Sequence, residues 1–329
     1  MNAIGGYLSL ELPFHEEYHK DAIKLNTGRN CLEYILRARK YKKVYIPYYT
    51  CDVILEPFLK LKIDYEFYHI NFQFEIVDKI QLKCGEALLY TNYFGLKQRY
   101  VQSLAGEYGD ALIIDNTQAF YAKPINHVDT FYTCRKFFGV PDGAYLYTEA
   151  SLDDVLAQDS SYNRMTHLLK RIDLSAEDGY EDFRCVDNGF VNQPIRKMSN
   201  LTHRLMQSID YVYTYNQRRS NFKLLHNTLQ RTNYLQFSLE DDSVPMVYPY
   251  FSSVSGLREF LIHQKVFVAK YWSNVLEWVE GDCVEKQLTQ RLLPLPIDQR
   301  YGVEEMEKVL KNISYLYAGT RNYCYSGGN

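Results

Sequence analysis

Lys136, in Thr133-Cys134-Arg135-Lys136-Phe137-Phe138-Gly139, is the residue best suited to covalent chemistry. Most lysines are solvated surface charges. This one follows an apolar run and precedes two phenylalanines, and desolvation there, with Arg135 adjacent, favours a nucleophilic amine. Asp115 closes the apolar run Ala111-Leu112-Ile113-Ile114 and precedes Asn116-Thr117-Gln118. A carboxylate at the carboxyl end of a strand is placed for function, although capping a turn is the commoner role. Thr27-Gly28-Arg29-Asn30 stands between a short β-type run and a helical pattern. Glycine there lets backbone approach an anion, and a helix N-terminus offers unpaired N–H donors. An amine, an acid and an anion cup, in one chain, are what pyridoxal phosphate requires.

His15-Glu16-Glu17-Tyr18-His19 also fits the HExxH pattern, which on a helix places two zinc-binding histidines on one face with Glu16 as base. The segment directly follows Pro13-Phe14 and carries no helical core pattern or third ligand, so a polar surface segment is the expected reading.

The elements that would position these residues alternate. Ala22–Leu25 reads as a strand, 30–40 as a helix, Val44–Ile46 as a strand and Val53–Leu61 as a helix. Tyr65–His69, Ala87–Tyr90 and Ala111–Ile114 read as strands, with a helix over Gln98–Tyr108 between the last two. Such alternation predicts a mostly parallel sheet with helices on both faces and ligands at the strands' carboxyl ends. Apolar spacing (Leu201, Leu205, Ile209, Val212) predicts one helix over 201–229. The polar stretch 232–243 marks a boundary between a large α/β domain, residues 1–231, and a small α+β domain, residues 232–329. In the latter, Met246–Phe251, Val266–Ala269 and Leu292–Leu295 read as strands, and Leu257–His263 and Val303–Leu316 as helices. Arg218-Arg219 reads as a solvated helix face, Tyr271-Trp272 equally as core or as the rim of a pocket, and the Ser326–Asn329 tail as frayed.

Composition narrows the function. A net charge of −3 gives no long-range attraction for nucleic acid or anionic lipid. No secretory leader or membrane-spanning apolar run is visible. The seven scattered cysteines include no CxxC pair, so neither a disulfide framework nor a structural zinc site is expected and a reducing cytoplasm is the default. The 31 tyrosines suit pockets and interfaces as well as ordinary cores.

TGRNCLEYIL, VYIPYYTCDVILEPFLKLKIDYEFYHIN, LLYTNYFGL, LIIDNTQAF, FYTCRKFFGVPDGAYLYT and LLPLPIDQRYGVEEMEKVL occur in this order. Together they resemble the DegT/DnrJ/EryC1/StrS sugar aminotransferases, pyridoxal 5′-phosphate enzymes of fold type I. The resemblance implies a Schiff base at Lys136, a pyridinium partner at Asp115, a ring-hydroxyl contact at Gln118 and phosphate contacts from Gly28 and Arg29. Where the family stacks an aromatic on the ring this chain has Cys51, so Tyr49 or Tyr93 is expected to serve. Thr133, in preference to Tyr132, is the expected phosphate hydroxyl. The asparagine usually lent by a neighbouring subunit has no counterpart near Pro194–Met198. The implied activity is transfer of an amino group from a donor such as glutamate to a nucleotide-linked keto sugar, in a homodimer. The alternatives are a lyase or dehydratase using the same lysine, and a non-catalytic regulatory or assembly protein of the same fold.

Overall fold

A computed structural model describes residues 4–325, so the 326–329 tail lies outside the described residues. Its centre is a seven-stranded sheet in the order β1-β7-β6-β5-β4-β2-β3. The strands are β1 Ile23–Leu25, β2 Lys43–Pro47, β3 Asp64–Tyr68, β4 Glu86–Thr91, β5 Leu112–Asp115, β6 Asp129–Thr133 and β7 Ala144–Tyr147. β7 runs against both of its neighbours, and the remaining pairs are parallel. The carboxyl ends of β2, β4, β5 and β6 therefore open on one edge.

Side chains alternate across the sheet and divide the core in two. One face carries Val44, Ile46, Ala87, Leu89, Ile113 and Phe131 and packs on helices α1 (Gly28–Arg39) and α2 (Leu55–Leu61) through Leu32, Ile35, Leu36 and Phe58. The other carries Leu88, Tyr90, Leu112, Ile114, Tyr132 and Tyr145. That layer continues through α3 (Gln98–Tyr108) and the long helix of the carboxyl half into a two-stranded antiparallel sheet, β8 (Val247–Phe251) with β9 (Leu292–Pro296). Helices α4 (Thr166–Asp173) and α5 (Tyr180–Asn188) pack on each other.

Three expectations need correction. The helix expected over 201–229 is two helices, α6 (Asn200–Met206) and α7 (Tyr211–Leu229). The Asp210 side chain accepts from the Tyr213 N–H at 2.9 Å and starts α7 afresh, a capping interaction that apolar spacing does not register. Val266–Ala269 is not a strand. Lys265 turns the chain at φ 61°, and the Arg258 guanidinium donates to the carbonyls of Val268 and Ala269. Arg218 is no solvated residue either, being 1% exposed. The carboxyl-terminal elements are completed by α8 (Leu257–His263), α9 (Val275–Trp278), α10 (Val284–Arg291) and α11 (Val303–Tyr325). No helix among the described residues is long and apolar enough to cross a membrane.

Candidate active site

The amino end of α1 meets the carboxyl ends of β5 and β6. Thr27 caps α1, its hydroxyl accepting from the Asn30 N–H at 3.2 Å, and the Thr27 carbonyl takes the first helical bond, from Cys31, at 3.0 Å. The Gly28 and Arg29 N–H groups have no partner within the helix and face outward from its positive end. The backbone here comes close to its neighbour: a Cβ on Gly28 would stand 3.3 Å from Thr117 Cγ2. Thr117 in turn accepts from Lys136 Nζ at 3.0 Å through its hydroxyl, and donates its N–H to Asp115 Oδ1 at 2.8 Å. One threonine thus ties the helix terminus, the amine and the acid together.

Asp115 is 8% exposed. Burial pushes its carboxyl above the usual carboxylate range, while the Lys136 ammonium and the Thr117 hydroxyl and N–H pull the other way. Thr133 and Asp115 lie on the α1 face of the sheet, two residues beyond Phe131 and Ile113 respectively. Thr133 Oγ1 has only a long contact, 3.5 Å, to the Gly143 carbonyl, and remains available to a ligand at the helix terminus. Tyr132 points to the opposite face, where its hydroxyl donates to the Ala122 carbonyl at 2.9 Å. Gln118 is held by its Oε1, which accepts from the Phe94 N–H at 2.8 Å.

Other expected site residues are placed differently. The Arg29 guanidinium is paired with Glu56 at 2.6 Å, so its side-chain charge is already met and its offer to an anion is the backbone N–H. Tyr93 does not reach the site. It is fully buried in the aromatic core beside Phe74 and Tyr90, and its hydroxyl donates to the Tyr49 carbonyl at 2.8 Å. Tyr49 is equally buried, edge-on to Trp272. Cys51 is half-buried within electrostatic reach of Lys136, and burial raises its thiol while the Lys136 charge opposes the rise. The segment after α8 borders this turn: Asn274 Nδ2 donates to the Thr50 carbonyl at 3.0 Å, and Tyr271 lies near Cys51. Residues 193–196 run beside the start of α1, held by Asn26 and Asn30.

Arg218 is the positioning residue that sequence reading missed. Its guanidinium donates to the Phe137 carbonyl at 3.2 Å and covers the Phe137 ring at 4.5 Å, and Gln299 donates to the same carbonyl at 2.8 Å. Both clamp the residue next to Lys136. An arginine flanked by apolar residues at helical spacing (Phe222, Leu225, Leu229) was the available signal.

The HExxH segment is not helical, so its histidines share no helix face. His19 is 1% exposed, its Nε2 2.7 Å from the Phe120 carbonyl and its ring among Phe120, Tyr132 and Tyr145. Burial lowers its pKa to about 4 against a backbone hydrogen bond that favours the cation. The unfolded chain, with an ordinary histidine, binds this proton first as pH falls, so stability is lost from pH ~6.5 down to about 4. Urea unfolding should show the wild type losing about 2 kcal/mol through this group between pH 7 and 5. His19→Phe should remove that part of the slope.

Three features of the site suit pyridoxal phosphate: free N–H donors at a glycine-floored helix terminus, a buried acid beside it, and an amine between them. The architecture is that of fold type I pyridoxal-phosphate enzymes. Among solved structures, a DegT DnrJ EryC1 StrS aminotransferase from Brucella abortus superposes with a TM-score of 0.57 at 14% identity, covering 89% of this chain and 85% of that one. NtdA from Bacillus subtilis, with bound cofactor PMP, gives 0.62 at 13% identity over 90% and 73%. DesI in the presence of its TDP-sugar product gives 0.62 at 13% over 93% and 82%. No protein-family model and no curated protein matches the sequence.

Proposed function

We propose that this chain is a pyridoxal-phosphate-dependent aminotransferase that moves an amino group from an amino acid such as glutamate to a nucleotide-linked keto sugar. The observation that carries the reading is the Lys136–Thr117–Asp115 chain of contacts at the mouth of α1. The likeness to NtdA with PMP and DesI with a TDP-sugar product supports the cofactor and substrate classes.

The cofactor, when bound, supplies an aldehyde that takes up amino groups and a ring that withdraws electrons from the adjacent carbon. The Gly28 and Arg29 N–H groups and the Thr133 hydroxyl bind the phosphate. Asp115 holds a proton on the ring nitrogen, and Gln118 addresses the ring hydroxyl. With the cofactor bound, Lys136 Nζ, oriented by Thr117 Oγ1, would act as base for the proton of the substrate's α-carbon and then as acid, delivering that same proton to the cofactor. Cys51, within electrostatic reach of Lys136, would border the ring at the position where the resemblance implies an aromatic.

The enzyme is read as a homodimer with residues 1–231 as cofactor domain and 232–329 as smaller domain. Exposed Leu169, Ile172, Leu174 and Tyr180 on and beside α4 and α5 offer an apolar surface next to Arg135, which pairs with Asp187 of α5. Cys31, Cys51, Cys84, Cys134, Cys185 and Cys283 are free thiols, which suits a reducing cytoplasm. Incubation of cofactor-loaded protein with glutamate and a panel of nucleotide-linked keto sugars should give 2-oxoglutarate and an amino sugar in equal amounts. Cofactor uptake without such transfer to any of them would overturn the assignment.

A further inference from the structure

Asp115 is served from one side by Thr117. On its other side lies β4, where Thr91 is paired in register with Asp115. Registered residues of parallel strands point to the same face, and Leu89 and Ile113, two positions earlier, both pack on α1. Thr91 therefore stands beside the acid, on the ligand side. It is 2% exposed, and its Oγ1 is buried with no hydrogen-bond partner. A buried hydroxyl left unpaired costs free energy that valine, of the same shape, would not. The fold gives this polar group no partner of its own.

We propose that Thr91 is a positioning residue whose hydroxyl donates to the Asp115 carboxylate when a ring nitrogen engages that carboxylate. The inference rests on the cofactor reading above. The Lys136 charge helps to keep the buried carboxylate ionised. Once the amine is taken up in chemistry, that support is withdrawn. A hydroxyl from the neighbouring strand then replaces it through a turn about one side-chain bond, without moving the backbone.

The test compares Thr91→Val and Thr91→Ser in the full chain. Three quantities are read: the Tm of the cofactor-free protein, the Kd for pyridoxal phosphate, and the pH at which the bound cofactor's visible band changes. Thr91→Val should leave the empty protein's Tm at or above the wild type's, raise Kd by about 10-fold, since hydrogen bonds to charged groups are the strong ones, and shift the spectral transition. Thr91→Ser should stay within about twofold of wild type in Kd and keep the transition. Thr91→Val with unaltered Kd and transition overturns the role of Thr91 alone. A lower Tm for empty Thr91→Val also overturns it, because the hydroxyl would then have a partner already. A wild type that takes up no cofactor overturns the reading beneath it as well.

Discussion

Lys136→Ala should reduce transamination by a factor of about 10⁴, at the upper end of what a positioned acid–base group contributes, and should abolish borohydride-stable attachment of the cofactor. The size of the effect follows from what surrounds the amine. Lys136 Nζ lies 3.0 Å from Thr117 Oγ1, and Thr117 is also the donor to Asp115. Two neighbouring cations offer no replacement, because Arg29 is paired with Glu56 and Arg135 with Asp187. Guanidinium groups also keep their protons and make poor bases. Peptide mapping after borohydride treatment of the wild type should place the label on Lys136. Label on another lysine, or turnover of Lys136→Ala within tenfold of wild type, would refute its role. Added alkylamines should restore part of the activity, since the space left by the side chain opens on the acid and on Thr117. Rescue of this kind separates a missing amine from a damaged fold.

The amine, the acid and the helix terminus were legible because each combines a chemical type with a strand or helix end that periodicity reveals. Gly28 begins α1, Asp115 ends β5, and Lys136 follows β6 closely. β6 and β7 were not read as strands. Asp-Thr-Phe-Tyr-Thr and Ala-Tyr-Leu-Tyr are short and are buried on both faces, so no apolar–polar alternation marks them. The aromatic that would face the ring could not be chosen from order along the chain. The rings of Tyr49 and Tyr93, the two expected candidates, turn into the core, where Trp272 and Phe74 meet them. Arg218 was hidden for the opposite reason: a charged residue in a helix reads as solvated unless the tertiary partners are known. Its acceptors, Met246 and Phe137, come from distant parts of the chain. Thr91 falls one residue beyond the strand expected over Ala87–Tyr90 and inside the LLYTNYFGL motif, with no role of its own. Its interest comes from register with Asp115 and from an unpartnered hydroxyl, neither of which is a property of local sequence.

Asp115→Asn should lower the rate of the amino-donor half-reaction by about 10³-fold while leaving cofactor bound, an effect within the range for loss of a buried charge that stabilises a developing one. Asparagine keeps the oxygen that accepts from the Thr117 N–H, so the turn after β5 should survive. It removes the negative charge that holds a proton on a ring nitrogen, and with it the ring's capacity to draw electrons from the substrate carbon. The same substitution should not weaken the empty protein. Burial raises the Asp115 carboxyl, so stability is lost as pH rises from the ordinary carboxylate value of 3.8 through the raised folded pKa, and above it the ionised form is a constant cost to the fold. Asparagine relieves that cost, and the Tm of cofactor-free Asp115→Asn at pH 7 should equal or exceed that of the wild type. Cofactor-induced stabilisation should shrink, because the ring nitrogen loses its ionic partner. Stopped-flow absorbance with glutamate and paired melting curves, with and without pyridoxal phosphate, read both halves of the claim. An unchanged half-reaction would place the ring elsewhere. A lower Tm in the empty variant would mean that the carboxylate is structural. The combination of slower chemistry and a sturdier empty protein is what a group kept for the ligand, at the expense of the fold, must produce.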